Sequence, residues 1–94
     1  MPSYTVRVEL HTGTEQDYEE LHGYMEAQGF ERTITGDDKK ECKMPPAEYV
    51  MRNVGIGIDI VLSKANNAAA LTFKSHAVLV SETTQWKWIN LDTV

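Results

Sequence analysis

The sequence has a single cysteine, Cys42, among 94 residues. A lone thiol forms no intramolecular disulfide and has no CxxC partner for zinc or redox chemistry, so Cys42 is expected to be a small side chain on a strand. Long apolar runs are also missing. Nothing approaches the roughly 20 residues that cross a bilayer. The opening MPSYTV has neither a basic n-region nor an apolar h-region, so no membrane partner is expected, and a cytoplasmic location is. There is no Walker loop, no GxSxG elbow and no GxGxxG after a strand. GIGI at 55–58 is too short to cradle a dinucleotide, and no cofactor is expected. Histidines at zinc-site spacing (HxxxH, HxxE) are absent, and no metal is expected. Basic residues are scarce where acids crowd: residues 11–30 hold Glu15, Asp17, Glu19, Glu20 and Glu26 without a lysine or arginine. That segment accounts for the whole net charge of −5, because the other nine acids and nine bases cancel. The balance argues against a general nucleic-acid coat, which rests on neutralising phosphates. It leaves room for a nucleic acid away from the acidic segment, with no pronounced basic patch to attract it.

What is present reads as one domain, residues 1–94, ordinary in its 41% hydrophobic and 24% charged content. In YTVRVELH, Tyr4, Val6, Val8 and Leu10 alternate with Thr5, Arg7, Glu9 and His11, the period of a strand with one buried and one open face. Thr14 and Asp17 approximate a capping box for a helix over about 15–28, with Tyr18, Leu21 and Met25 on one stripe and Gly29 as its stop. A strand over about 30–36, a polar turn at GDDKK and a second strand from Glu41 follow. Pro45 and Pro46 should break that second strand before it resumes as AEYVMRN. Val61, Leu62, Ala65, Ala68, Ala69 and Thr72 mark a helical face over 58–72. SHAVLVSE reads as a further strand with apolar residues on both sides. Trp86 and Trp88 share one face of an extended tail and need cover, from the domain itself or from a partner chain. The order predicts an α+β, ferredoxin-like β-α-β-β-α-β fold: a four-stranded antiparallel sheet with both helices on one face and a short extra C-terminal strand.

On the open face, Arg7, Glu9 and His11 form a row able to act as base, cation and titrating group, or to pair as surface ions. His22 lies on the flank of the first helix with Tyr18, Glu19 and Glu26 at i−4, i−3 and i+4. It is either an oriented catalytic imidazole or a half-buried flank histidine. Tyr49 with Arg52, and Trp86 and Trp88 around Lys87, combine aromatics with cations. Single-stranded RNA is held in that way, by base stacking and phosphate contact; core packing is the plainer role for such residues. No RNP-type aromatic motif is present.

YTVRVELH, a helix ending EAQGF, a strand-turn-strand with MPPAEY and an alanine-rich second helix together resemble the GhoS family. Its named member is the antitoxin of a type V toxin-antitoxin system. The resemblance spans roughly residues 3–80. It implies a ferredoxin-like fold akin to the small CRISPR-associated nucleases, and an endoribonuclease that cuts the messenger RNA of a small membrane toxin. Carried over by position, it makes Glu9 the acid closing the first strand, where the family pattern has aspartate. It makes His22 the functional basic residue of the first helix, where the pattern has arginine, and Tyr49 the aromatic of the third strand. Glu9 is then base or metal ligand, His22 acid or phosphate partner and Arg7 the stabilising charge, with Tyr49 stacking a base and Arg52 and His11 contacting RNA. Single-stranded RNA and a second copy of the chain are the implied partners. The rival expectation is a non-catalytic dimer that binds a protein partner through the open sheet face.

Overall fold

The computed structural model describes residues 2–36 and 38–94. Its elements are β1 (Ser3–Leu10), α1 (Glu15–Ala27), β2 (Thr33–Thr35), β3 (Glu41–Lys43), β4 (Glu48–Met51), α2 (Ile58–Ala70) and β5 (His76–Thr83). The alternation in β1 decides the layering. Tyr4, Val6, Val8 and Leu10 are buried, whereas Arg7 and Glu9 are exposed. The buried set shares one core with Leu21 and Met25 of α1, Val61, Ala65, Ala68 and Ala69 of α2, and Tyr49 and Met51 of β4. Both helices therefore cover the even-numbered face of β1. The short alanines of α2 let that helix approach the sheet closely.

α1 starts where Thr14 accepts from the Asp17 backbone N–H while the Asp17 carboxylate accepts from Thr14 N–H, a reciprocal capping box. The Thr14 backbone bond, opposed by slight desolvation and aided by the nearby Lys74, holds the Asp17 carboxyl below its ordinary 3.8. α1 ends in a Schellman turn: Phe30 N–H donates to Met25 O and Gly29 N–H to Glu26 O, with Gly29 at φ 94°. Gly13 is dictated by space, since a Cβ there would lie 2.8 Å from the Leu10 Cβ. α2 is shorter than its 58–72 pattern, and Leu62, expected on the buried face, is 41% exposed. Lying about 100° around the axis from Val61, it falls on the flank of the buried stripe.

The architecture is α+β, but the sheet differs from the single four-stranded one expected. A three-stranded antiparallel sheet, ordered β4-β1-β5, stands beside a two-stranded ladder of β2 and β3. The two ladders are joined by a bridge in which Glu31 and Val50 exchange both backbone hydrogen bonds at 2.8 Å. At Arg32 the chain bends, and the Arg32 carbonyl accepts from Met44 N–H to begin the hairpin. Pro45 and Pro46 lack the N–H groups that would carry β3 into β4, so the expected break is there and the hairpin pairs as a separate unit. Asp37 of the expected GDDKK turn lies outside the described residues. The C-terminal tail packs back on its own domain. Trp86 Nε1–H donates to Thr5 Oγ1 at 3.0 Å, Lys43 N–H to Asp92 O, and Val94 N–H to Glu41 O, so the tail runs from the open face of β1 to the edge of β3. Cys42 is a buried strand residue with a free thiol.

Leu21 is fully buried, and Leu21→Ala should cost about 2–5 kcal/mol of stability. Thr14→Ala, which removes only the cap, should cost about 0.5–2 kcal/mol. Urea titrations of the two variants check the ranking; equal losses would contradict the packing of α1 described here.

Candidate functional site

Period-two geometry in β4 turns Tyr49 and Met51 toward the helices and leaves Val50 on the other side. His22 follows the buried Leu21 on α1 and so stands at the margin of the helix-covered core. The two meet: His22 Nδ1 lies 2.6 Å from the Tyr49 hydroxyl, with ring centroids 5.8 Å apart and planes tilted by 55°. Burial pushes the Tyr49 phenol up to about 12, with the Arg32 cation acting against it, so it keeps its proton. Desolvation lowers the His22 pKa from its ordinary 6.5; the Arg32 charge lowers it further and Glu19 opposes. At neutral pH the pair is thus an imidazole and a phenol. His22 Nδ1 and the Tyr49 hydroxyl share one hydrogen bond, and in the tautomer in which the phenol donates, the ring proton is on Nε2 and free to donate outward.

Two grooves meet at His22 and Arg32. One, of about 640 Å³, runs past Tyr18, Lys43, Met44 and Pro45 to Asp92 of the tail. The other, of about 500 Å³, is bordered by the acids Glu19, Glu26 and Glu31. Arg32 and Lys43 line the first groove with Asp92 and Val94, whereas Arg32 faces three acids in the second, so the first is the less hostile of the two to an anion. The phenol of Tyr18 is also fixed, since it accepts the Leu10 N–H at 3.0 Å and ties α1 to the end of β1.

The other sequence candidates lie elsewhere. Arg7, Glu9 and His11 are exposed, and the two strand residues among them are on the opposite side of the sheet from His22. Arg7 stands between Glu48 of β4 and Leu79 of β5, and Glu9 opposite Ala77. His11 Nε2 is 3.5 Å from Glu9 Oε1, and its Nδ1 is 3.3 Å from Ser75 Oγ. Exposed pairs of this kind are worth little in stability. Arg52 is engaged at 2.8 Å by Glu31. Within one chain, then, His22 and Tyr49 come together, Arg7, Glu9 and His11 form a second group across the sheet, and Arg52 belongs to neither.

One expected role needs correction. Tyr49 has no exposed surface, so its ring cannot stack on a nucleobase, and its contribution to the groove passes through the hydrogen bond to His22. Arg32 was not anticipated. Phe30 faces the helices, but Arg32 lies at the bend between the Glu31–Val50 bridge and β2, so no strand periodicity in the sequence assigns it to the side of His22. Among the described residues no group of three or more His, Cys, Asp or Glu is arranged to hold a metal ion. Among the described residues, no helix is long and apolar enough to cross a membrane. No family model, curated protein or solved structure matches the chain.

The depressed His22 pKa carries a sign. As pH falls below 6.5 the unfolded chain takes up this proton before the folded one, so the histidine's contribution to stability is fully present above 6.5. It is lost progressively as pH falls from 6.5 through the lower folded value. Denaturant titrations across this range should show that slope in the parent protein and a weaker one in His22→Gln. Identical slopes would contradict the burial of His22 against Tyr49.

Proposed function

We propose that the protein binds single-stranded RNA and cleaves it as a GhoS-like endoribonuclease, with His22 and Arg32 on the phosphate. The observation that carries this reading is the 2.6 Å contact of His22 Nδ1 with the buried Tyr49 hydroxyl, which fixes the imidazole next to a cation at the mouth of a groove. A fixed Nε2–H donor and a guanidinium suit the charge that develops on a pentacoordinate phosphorane, and preorganised donors act most strongly in partly desolvated sites. Lys43 along the same groove offers a further phosphate contact. Tyr49 is a positioning residue in this scheme. Glu9, across the sheet, is not part of the groove chemistry, although the resemblance gives it the role of base.

The reading takes the fold as a ferredoxin-like β-α-β-β-α-β variant, with the Glu31–Val50 bridge standing for the fourth strand of the usual sheet. It takes the substrate as a messenger RNA, in the manner of a type V antitoxin acting on the transcript of a membrane toxin. A second reading, a non-catalytic protein that binds a protein partner on its open sheet face, is favoured by one observation: Leu79 is 65% exposed beside Arg7 on that face.

Labelled single-stranded RNA, incubated with the parent protein and with His22→Ala, Arg32→Ala and Glu9→Ala in the presence and absence of EDTA, decides between them. Cleavage should persist in EDTA and in Glu9→Ala, and fall by about 10²–10³ in His22→Ala, the usual effect of removing one preorganised donor. Equal cleavage by all variants would mark a contaminating ribonuclease. Loss in Glu9→Ala alone would move the site to the open face, and a parent protein that neither binds nor cuts RNA would sink the proposal.

A further inference from the structure

We infer that the protein forms a two-fold homodimer by antiparallel pairing of its β5 strands edge to edge, centred on Leu79. The inference does not depend on the RNA reading. β5 is an edge strand of eight residues, hydrogen-bonded to β1 on one side only. The phase of that ladder shows which backbone groups are free. His11 N–H donates to Ser75 O at 2.8 Å, and the β1–β5 register continues from that pair through Glu9↔Ala77, Arg7↔Leu79 and Thr5↔Ser81. In an antiparallel ladder, hydrogen-bonded and non-hydrogen-bonded pairs alternate. The odd-numbered residues of β5 therefore direct N–H and C=O toward β1, and His76, Val78, Val80 and Glu82 direct theirs outward. Among the described residues no backbone partner meets them.

A second copy satisfies that edge in one register better than in any other. Centred on Leu79, the pairing sets Val78 against Val80 of the second copy and His76 against its Glu82, and every outward-directed residue meets another outward-directed residue. Shifting the centre to Val78 or Val80 leaves part of the row without a partner within the strand. The side chains agree with the backbone. On the helix side the register matches valine with valine and histidine with carboxylate, so no like charges face each other. On the open side it brings the two Leu79 side chains, 65% exposed in the single chain, directly together, flanked by Ala77 against Ser81. Most devices that protect a natural edge are missing along this row: HAVLVSET has no proline, lysine or bulge, and its one carboxylate, Glu82, meets His76 of the second copy. A dimer formed in this way joins two three-stranded sheets into a continuous six-stranded one, with the helices of both copies on the same side.

Light scattering coupled to size exclusion, applied to the full chain, should return twice the 10.6 kDa chain mass for the parent protein and the single-chain mass for Leu79→Lys, which sets like charges face to face. Cysteine cross-linking tests the register without disrupting the pair. A non-hydrogen-bonded antiparallel pair has its Cα atoms about 4.5 Å apart, within disulfide reach. Leu79→Cys should give a reducible dimer on mild oxidation, whereas Ser81→Cys, opposite Ala77 of the second copy, should not. The inference is overturned by a parent protein of single-chain mass, by a Leu79→Lys variant that stays dimeric, or by equal cross-linking of the two cysteine variants. Buried Cys42, common to both, is the internal control.

Discussion

The structure depends on one constraint, the burial of Tyr4, Val6, Val8 and Leu10 of β1 beneath both helices. A strand whose alternate side chains are sealed against a core cannot slip by one residue without turning that whole set into water. Fixing β1 fixes its neighbours. β4 pairs on one side with Tyr49 and Met51 directed into the same core, and β5 pairs on the other with Val78 and Val80 against it. The polar residues of β1 are thereby held on the opposite face. Hydrophobic burial thus sorts the ionisable groups into two populations that meet different surroundings.

The sorting gives the two populations different chemistry. Glu9 and His11 stand in water, 3.5 Å apart, where a charge pair is screened and weak. His22 and Tyr49 stand at the rim of the core, where loss of water favours the neutral imidazole and the intact phenol. The same desolvation that keeps the His22–Tyr49 pair neutral disqualifies the tyrosine as a stacking platform. The two halves of the catalytic set implied by the GhoS resemblance are separated by the thickness of the sheet in a single chain.

Much of this was legible in the residues themselves. Alternation in β1, the Thr14–Asp17 cap, the Gly29 stop and the break at Pro45 and Pro46 are local features, and each one is written in adjacent residues. What was not legible is pairing at a distance. His22 and Tyr49 are 27 positions apart, and nothing periodic announces that a helix flank will meet a strand residue. The hairpin of β2 and β3 was expected in the main sheet because the order of elements fits a four-stranded one, and only the bend at Arg32 shows that they leave it. The tail was harder still. Trp86 and Trp88 signalled a need for cover, yet whether Thr5 of the same chain or another molecule would supply it depends on how the tail crosses the sheet.

The partition of β1 is the claim from which the groove, the open face and the free β5 edge all follow. Nuclear Overhauser contacts in the labelled protein test it most directly. The account predicts cross-peaks from the Val6 and Val8 methyls to side chains of Leu21, Val61 and Ala65, and none from the side chains of Arg7 and Glu9 to either helix. Contacts from Arg7 or Glu9 to α1 or α2, with the Val6 and Val8 methyls open to a soluble relaxation agent, would contradict it.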